Sequence, residues 1–440
     1  MSIFRAYDIR GIYGKELNDE IAEGIAKAFV NLLNAKKAVV AMDVRLSSPK
    51  LKKAVIKGLT SQSCDVIDIG LVPIPLFYYF IVKYKLKAGI YITGSHDPVN
   101  YNGLKLCGER AIDLTYEQDM KKIEKMYKKK YSEKKKGKVI KKDISLEYEK
   151  QILKKIKIKN KFKIVVDCGN GCWSKLAPKI FKKMGFNVVK LFCKYDGKFP
   201  NRNPEPNEKT LKQLKKVVKK VKADLGIAFD ADGDRAVFID EKGRYVHPDF
   251  ILLLFTRKLL KKNDVLIADI RCTKELENEA KKYKWKLVWN RVGRSFIKQK
   301  MIKLKAKLGG EYSGHYYFKE NNYFDDGLFA SLMLLKILEK EKRPLSYLIN
   351  ELPKYPSLDF RFKCKDEKKF KVVERLKKMF KGYKLILIDG VGVKFKNGFA
   401  LVRASNTEPK IELRCEAKNN LELLKIKNEL MKRLKIAMKL

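Results

Sequence analysis

No stretch of this sequence is apolar for long enough to cross a bilayer. The longest apolar run, residues 71–82, is interrupted by Pro73 and Pro75, whereas a spanning helix needs about 20 apolar residues. The opening residues, MSIFRAYDIRG, lack the hydrophobic core of a signal peptide. Cysteine occurs eight times but never as Cys-x-x-Cys, and a 440-residue chain can build a core without a disulfide scaffold. Cys168 and Cys172, four apart around Gly169-Asn170-Gly171 with no histidine nearby, read as core residues and not as metal ligands. These absences point to a reducing cytoplasm. Histidine is scarce, with three in the chain, and acids number 51 against 99 Lys and Arg, leaving a net charge of +48.

What is present describes a globular chain of two to four domains, since 45% of residues are hydrophobic and 11% aromatic. The positive charge is spread along the whole length. It favours anionic partners of several kinds, among them phosphorylated metabolites, nucleic acid and acidic membrane surfaces. A Lys-rich composition that merely solvates helix faces would leave the same excess.

Apolar runs alternate with helical patterns, which implies layered α/β units with largely parallel sheets. A helix is expected over residues 18–33, a strand over 38–43, a helix over 48–61, a strand over 66–69 and a helix opened by Pro73-Ile74-Pro75. The lysine-dense segment 117–142 reads as an amphipathic helix followed by a solvated basic hairpin. A second unit follows with strands at 163–167, from 187 and at 225–229. A third has helix 248–260, strands 265–269 and 286–289, and helix 327–340. Three apolar strands end in an acid, namely Asp43, Asp167 and Asp269, a weak self-similarity between units. From about residue 358 the order strand, helix, hairpin around Gly398, strand, helix describes an α+β module. The expected boundaries are 1–143, 144–244, 245–354 and 355–440.

Four segments carry candidate chemistry. YITGSHDPVNYNGLK (91–105) places Ser95 and His96 in a small polar loop at a strand end, a nucleophile with a proton acceptor beside it. A simple polar turn would use the same residue types. FDADGDRAVF (229–238) alternates Asp230, Asp232 and Asp234 over five residues. Bent into a tight loop, these would converge on one hard cation, with Arg235 adding a guanidinium. An EF-hand would need glycine where Arg235 stands and helices on both flanks. A dehalogenase-type nucleophilic aspartate would need a following Thr, and a metal-free acidic turn stays open. GGEYSGHYYF (309–318) spaces Glu311, Ser313 and His315 two apart, so an extended backbone would project them to one side, as adjacent sugar hydroxyls require. VRASNTEPKIEL (402–413) offers Arg403, Ser405, Asn406 and Thr407 to a phosphate dianion.

TGSHDPVNYNGLK, FDADGDR, GGEYSGH and RASNTEP, in this order and after the opening FRAYDIRG, resemble the α-D-phosphohexomutase superfamily, nearest its phosphomannomutase/phosphoglucomutase branch. The resemblance runs from Phe4 to about Leu413. It implies three tandem related α/β domains plus a C-terminal α+β domain, heart-shaped around a central cleft. The four domains would carry, in turn, the phosphoserine loop, the metal loop, the sugar-recognition loop and a phosphate clamp. By matching position, Ser95 carries the phosphoryl group, and Asp230, Asp232 and Asp234 bind Mg²⁺ together with an oxygen on Ser95. His96, Lys105 and Arg235 surround the transferring group with Arg10 close by. Glu311, Ser313 and His315 read sugar hydroxyls, and Arg403, Ser405, Asn406 and Thr407 hold the non-reacting phosphate.

The implied reaction interconverts the 1- and 6-phosphates of mannose or glucose through a bisphosphate, in a monomer or small homo-oligomer without membrane or specific nucleic-acid partners. Three positions depart from the family pattern. Asp97 stands where Asn is usual, Arg271 where Lys is frequent, and Arg294 where His is common. Alternatives are a phosphoglucosamine mutase, a catalytically silent sugar-phosphate binder, or a basic nucleic-acid-associated protein.

Overall fold

The computed structural model describes residues 3–405 and 408–439. They form two compact units, one of residues 1–251 with 313–349 and one of residues 252–312 with 350–440. No helix among the described residues is long and apolar enough to cross a membrane.

The first unit opens on a six-stranded sheet in the order Ile9–Ile12, Tyr101–Cys107, Gly89–Ile92, Lys37–Met42, Asp65–Leu71, Val139–Lys141. Three of its ladders are parallel and two antiparallel. Lys37–Met42 runs parallel to both Gly89–Ile92 and Asp65–Leu71, while Tyr101–Cys107 runs antiparallel to Gly89–Ile92 and Ile9–Ile12. Helix Asp19–Leu33 starts where Asn18 Oδ1 accepts from Ile21 N at 2.8 Å, and two acids in its first turn complement the helix dipole. Ala22, Ile25, Ala26, Phe29 and Val30 recur at helical spacing and are buried against the sheet. Burying one such Phe or Ile contributes roughly 1.5–3 kcal/mol. Helix Ile74–Lys83, apolar on nearly all sides, packs Phe77 and Ile81 against Gly89.

Two expectations need correction here. The segment after residue 120 forms helix Lys121–Met126 and then a single strand, Val139–Lys141, parallel to Asp65–Leu71, so the basic hairpin does not exist. The strand is exposed at all three positions, so no apolar pattern announced it. The strands Ile9–Ile12 and Tyr101–Cys107 also lie outside the sequence reading, because each is attached to a polar loop that masks its alternation.

The second sheet of this unit has the order Tyr245–Val246, Ala236–Asp240, Leu225–Phe229, Lys163–Asp167, Asn187–Leu191. Leu225–Phe229 and Ala236–Asp240 pair antiparallel with Phe229 opposite Ala236, so residues 230–235 are the loop of a hairpin.

In the second unit, Val265–Asp269 runs parallel to Lys286–Asn290 and to Leu308–Gly310. Its other sheet is antiparallel, in the order Ser357–Lys363, Lys410–Ala417, Gly398–Ala404, Val391–Phe395, Lys384–Ile386. Helices Asp366–Met379 and Asn420–Lys439 bury Val372, Leu376, Ile426, Leu430 and Leu434 against that sheet. The hairpin around Gly398 is there, with Phe395 opposite Gly398.

Candidate active site

The three acids at strand ends share one local design. In each case the carboxylate Oδ1 accepts the backbone N–H two residues on: Arg45 N to Asp43 at 2.9 Å, Gly169 N to Asp167 at 2.8 Å and Arg271 N to Asp269 at 2.7 Å. Each acid also holds an arginine. Arg45 Nε lies 3.3 Å from Asp43, Arg202 Nε 3.0 Å from Asp167 and Arg271 Nη2 2.8 Å from Asp269. This repeated turn is the physical form of the self-similarity between the α/β units.

Asp43 and Arg45 together build the serine loop. Arg45 is buried, and its guanidinium donates to four backbone carbonyls, those of Ser95 (2.8 Å), Asp97 (2.6 Å), Pro98 (2.7 Å) and Tyr101 (2.9 Å). A side chain at Gly94 would collide with Arg45 Nε at 2.3 Å, so only glycine lets the loop close over that fork. Thr93 Oγ1 donates to Asp43 Oδ2 at 2.8 Å and accepts from Ser95 N at 2.6 Å. Ser95 itself is held at φ 45°, in the left-handed region that a non-glycine residue adopts at a cost. The over-determined loop sustains that strain and fixes where the hydroxyl points.

The acidic loop is pinned along its backbone. Arg202 Nη2 donates to Phe229 O (2.6 Å), Cys172 N to Ala231 O (2.8 Å), Ile74 N to Asp232 O (2.9 Å) and Trp173 Nε1 to Gly233 O (2.8 Å). Gly233, at φ 85° and pressed on Trp173, makes the turn. Asp230 Oδ1 accepts from Gly233 N and Arg235 N, both at 3.1 Å. Asp230, Asp232 and Asp234 are all buried, with one ligand oxygen of each within 4.8 Å of the others.

Ser95 Oγ meets this loop directly, donating to Asp232 Oδ1 at 3.2 Å. Lys105, carried beneath the serine loop by strand Tyr101–Cys107, donates to Asp232 Oδ2 (2.8 Å) and Asp234 Oδ2 (2.9 Å). Asp230 Oδ2 is buried without a hydrogen-bond partner among the described residues, with Arg235 Nε 3.6 Å away, and Asp234 Oδ1 faces His315 Nε2 at 3.2 Å. Burial, with Asp234 and Asp232 alongside, pushes the Asp230 carboxyl well above the usual carboxylate range. Burial also opposes ionisation of Asp234, but Lys105 and His315 hold its carboxyl well below that range. Oxygen donors left short of positive charge fit a hard divalent cation, and the cluster can hold a metal.

His96 does not sit as a simple acceptor for the serine proton. Its Nδ1 is 3.4 Å from Ser95 Oγ but 2.9 Å from Arg235 Nη2. Arginine only donates, so Nδ1 is the unprotonated nitrogen and its lone pair faces Arg235. Burial first, and Arg235 second, push His96 well below the usual imidazole range. The nearer acceptor for the serine hydroxyl is therefore Asp232. Arg10 lies alongside, donating to Thr93 O (2.8 Å) and Asp8 (3.0 Å).

The segment from Glu311 to His315 is a turn, with Gly314 at φ 90°, and not the extended ladder that the two-residue spacing implies. Ser313 and His315 fall in the first unit. Ser313 Oγ is 2.9 Å from His315 Nδ1, and His315 Nε2 is 3.2 Å from Asp234 and 3.3 Å from Arg235 Nε. Glu311 falls in the second unit, 3.9 Å from Arg271 Nη2.

Also in the second unit, Arg403 pairs through Nε with Asp389 (3.1 Å) and through Nη1 with Glu412 (2.7 Å). Its Nη2 is buried and has no hydrogen-bond partner among the described residues. Ser405 Oγ accepts from Glu408 N at 3.2 Å. Asn406 and Thr407 lie outside the described residues.

Residues 1–134, 146–243, 247–355 and 360–433 match, in order, the phosphoglucomutase/phosphomannomutase alpha/beta/alpha domains I, II and III and the C-terminal domain. The chain belongs to the phosphoglucomutase/phosphomannomutase family. A phosphomannomutase/phosphoglucomutase of Pseudomonas putida is 39% identical over 437 residues, covering 97% of this chain and 94% of the relative. A phosphomannomutase of Methanocaldococcus jannaschii is 37% identical over 426 residues, covering 95% and 94%. The crystal structure of a phosphoglucomutase/phosphomannomutase family protein from Burkholderia thailandensis is similar at a TM-score of 0.91 and 34% identity, covering 99% of this chain and 97% of that one. These relatives favour neither a phosphoglucosamine mutase nor a nucleic-acid-binding protein.

Within this family pattern the departures acquire partners. Asp97, one negative charge more than the Asn that the resemblance implies, lies 3.4 Å from Arg10 Nε. Arg271 is locked on Asp269, which outweighs burial and keeps the guanidinium protonated. Arg294 is buried at the start of helix Arg294–Leu304. Sequence reasoning missed Arg45 entirely and gave Asp43 no role. The only trace of Arg45 was its place two residues after a strand-end acid, since its partners are carbonyls about fifty residues away.

Proposed function

We propose that this chain is a phosphohexomutase that interconverts hexose 1-phosphate and hexose 6-phosphate, of mannose or glucose or both, through a phosphorylated Ser95 and a hexose 1,6-bisphosphate. The observation that carries this reading is the Ser95 hydroxyl, strained, buried and hydrogen-bonded to Asp232 inside a carboxylate cluster that also holds Lys105. A serine placed to carry phosphate needs positive charge near the transferring group and little covalent help.

In the first half-reaction a sugar hydroxyl attacks the phosphorus on Ser95. The new P–O bond to sugar forms as the P–Oγ bond breaks, and the hydroxyl proton leaves for a nearby base. In the second half, Ser95 Oγ attacks the other phosphorus of the bisphosphate: the new P–Oγ bond forms as the P–O bond to the sugar breaks, the serine proton passes toward Asp232, and the sugar oxygen takes up a proton and leaves as a hydroxyl. Asp230, Asp232 and Asp234 would hold Mg²⁺, since few carboxylates plus phosphate oxygens is a usual Mg²⁺ donor set. When bound, the ion supplies charge neutralisation at the phosphoryl group. Lys105, Arg235 and Arg10 contribute positive charge, and burial, with Arg235 second, holds His96 well below the usual imidazole range. Glu311, Ser313 and His315 would read sugar hydroxyls. Arg403, with its spare Nη2, and Ser405, Asn406 and Thr407 would take the phosphate that is not reacting.

The four sequence domains keep these roles in order: 1–143 for the serine loop, 144–244 for the metal loop, 245–354 for sugar recognition and 355–440 for the phosphate. A coupled assay with mannose, glucose and glucosamine 1-phosphates, trace 1,6-bisphosphate and Mg²⁺ tests the proposal. Turnover of one or both of the first two, abolished by chelation of the metal, is the expected result. Turnover of glucosamine 1-phosphate alone, or of none, would contradict it.

A further inference from the structure

Two cysteines stand behind the metal loop. Cys168 follows strand Lys163–Asp167 and Cys193 follows strand Asn187–Leu191, and these strands run parallel with Asp167 opposite Leu191. The two side chains therefore leave the same end of neighbouring strands, and their sulfurs lie 2.7 Å apart. A disulfide bond measures about 2.05 Å, so little movement separates the contact from a bond. Cys168 is buried, whereas Cys193 is partly exposed. A hydrogen bond from the Cys168 thiol holds Cys193 below the usual thiol range, and burial pushes Cys168 up. Cys193 is thus the accessible nucleophile and Cys168 the resolving partner.

The same segment buttresses the acidic loop. Asp167, next to Cys168, holds Arg202, which donates to Phe229 O beside Asp230. On the other side of Cys168, Cys172 N donates to Ala231 O and Trp173 Nε1 to Gly233 O.

We propose that Cys168 and Cys193 are a reversible disulfide-forming pair, and that closing the bond lowers turnover by shifting the backbone that fixes Asp230 and its loop. With hydrogen peroxide as oxidant, Cys193 sulfur attacks one peroxide oxygen. The O–O bond breaks, water leaves and a sulfenic acid forms. Cys168 sulfur then attacks Cys193 sulfur, the S–S bond forms, the S–O bond breaks and a second water leaves. Two thiols are oxidised and one peroxide is reduced to two waters.

The full-length protein is reduced, treated with hydrogen peroxide, blocked with N-ethylmaleimide and digested with trypsin for mass spectrometry. The expected product joins peptides 164–175 and 191–194, with fragment ions placing the bond on Cys168 and not on Cys172. Dithiothreitol should remove it. Turnover should fall about tenfold on oxidation and return on reduction, because sub-ångström displacements of a catalytic loop carry costs of this order. The Cys193→Ser variant, or Cys193→Ala if the first folds poorly, should keep its turnover through peroxide. Cys168 and Cys193 both alkylated after peroxide, a bond to Cys172 instead, or a linked protein as active as the reduced one would each overturn the proposal. So would equal inactivation of Cys193→Ser. The turnover readout rests on the mutase reading but the cross-link does not: a reduced protein without mutase activity fails that reading alone.

Discussion

The serine–carboxylate cluster of the first unit and the arginine cluster of the second are built from the same kinds of side chain, with opposite electrostatic remainders. In the first, Lys105, Arg235 and His315 face three buried aspartates and still leave Asp230 Oδ2 without a hydrogen-bond partner among the described residues. In the second, Asp389 and Glu412 engage two nitrogens of Arg403 and leave Nη2 buried and unsatisfied among the described residues. One cluster is short of a cation, the other short of an anion. A buried polar group left unmatched costs free energy, and a ligand of the missing sign removes that cost. On the proposed function the difference would separate the chemical step from the holding of phosphate, and substitutions on either side should separate in the same way.

The largest effect belongs to the first cluster. Ser95→Ala should lower turnover at least about a thousandfold with an unchanged circular dichroism spectrum. Turnover near that of the unsubstituted protein would remove Ser95 from the chemistry. Next comes the scaffold beneath it. Arg45→Lys keeps the charge beside Asp43 but replaces a planar fork with a single ammonium that cannot serve four carbonyls. Steady-state kinetics should register a fall in kcat of about a hundredfold.

The second cluster should respond differently. Arg403→Lys is expected to raise KM about tenfold, with a smaller change in kcat, as lost phosphate binding would. An equal loss in both would assign Arg403 to the chemical step and erase the contrast.

A last effect is one of acid stability. Arg403, Arg271 and Lys410 outweigh burial and lower the Glu412 pKa from 4.5 to about 2. A depressed carboxyl stabilises the fold above its unfolded pKa and loses that contribution as pH falls toward the folded value. About 3 kcal/mol should therefore disappear between pH 4.5 and 2. Urea unfolding of the unsubstituted protein and Glu412→Gln across that window measures it, and parallel acid slopes would refute it.

Much of this contrast was legible in the sequence, and the unread parts have physical causes. The strand spans 163–167, 225–229 and 265–269 follow from apolar runs stopped by acids, and the structure places each at those residues. FDADGDR reads as a tight loop after strand 225–229, and the structure makes it the loop of a hairpin. Spacing could not reveal that residues 311–315 turn, with Gly314 at φ 90°, instead of running extended. Adjacency made His96 the natural partner of Ser95, but the lone pair it would need is taken by Arg235, which is remote in sequence. Arg45 was invisible because its work is done on main-chain carbonyls, which carry no sequence signature.

The account stands on phosphate passing through one hydroxyl. Purified protein incubated with glucose 1,6-bisphosphate and Mg²⁺, then digested and mapped by mass spectrometry, should carry a single phosphate on Ser95. When that phosphate is isotopically labelled, the label should pass to hexose phosphate on addition of unlabelled hexose 1-phosphate while Ser95 is phosphorylated anew. A phosphate on another residue, or none on Ser95 while hexose 1-phosphate is being turned over, would contradict it.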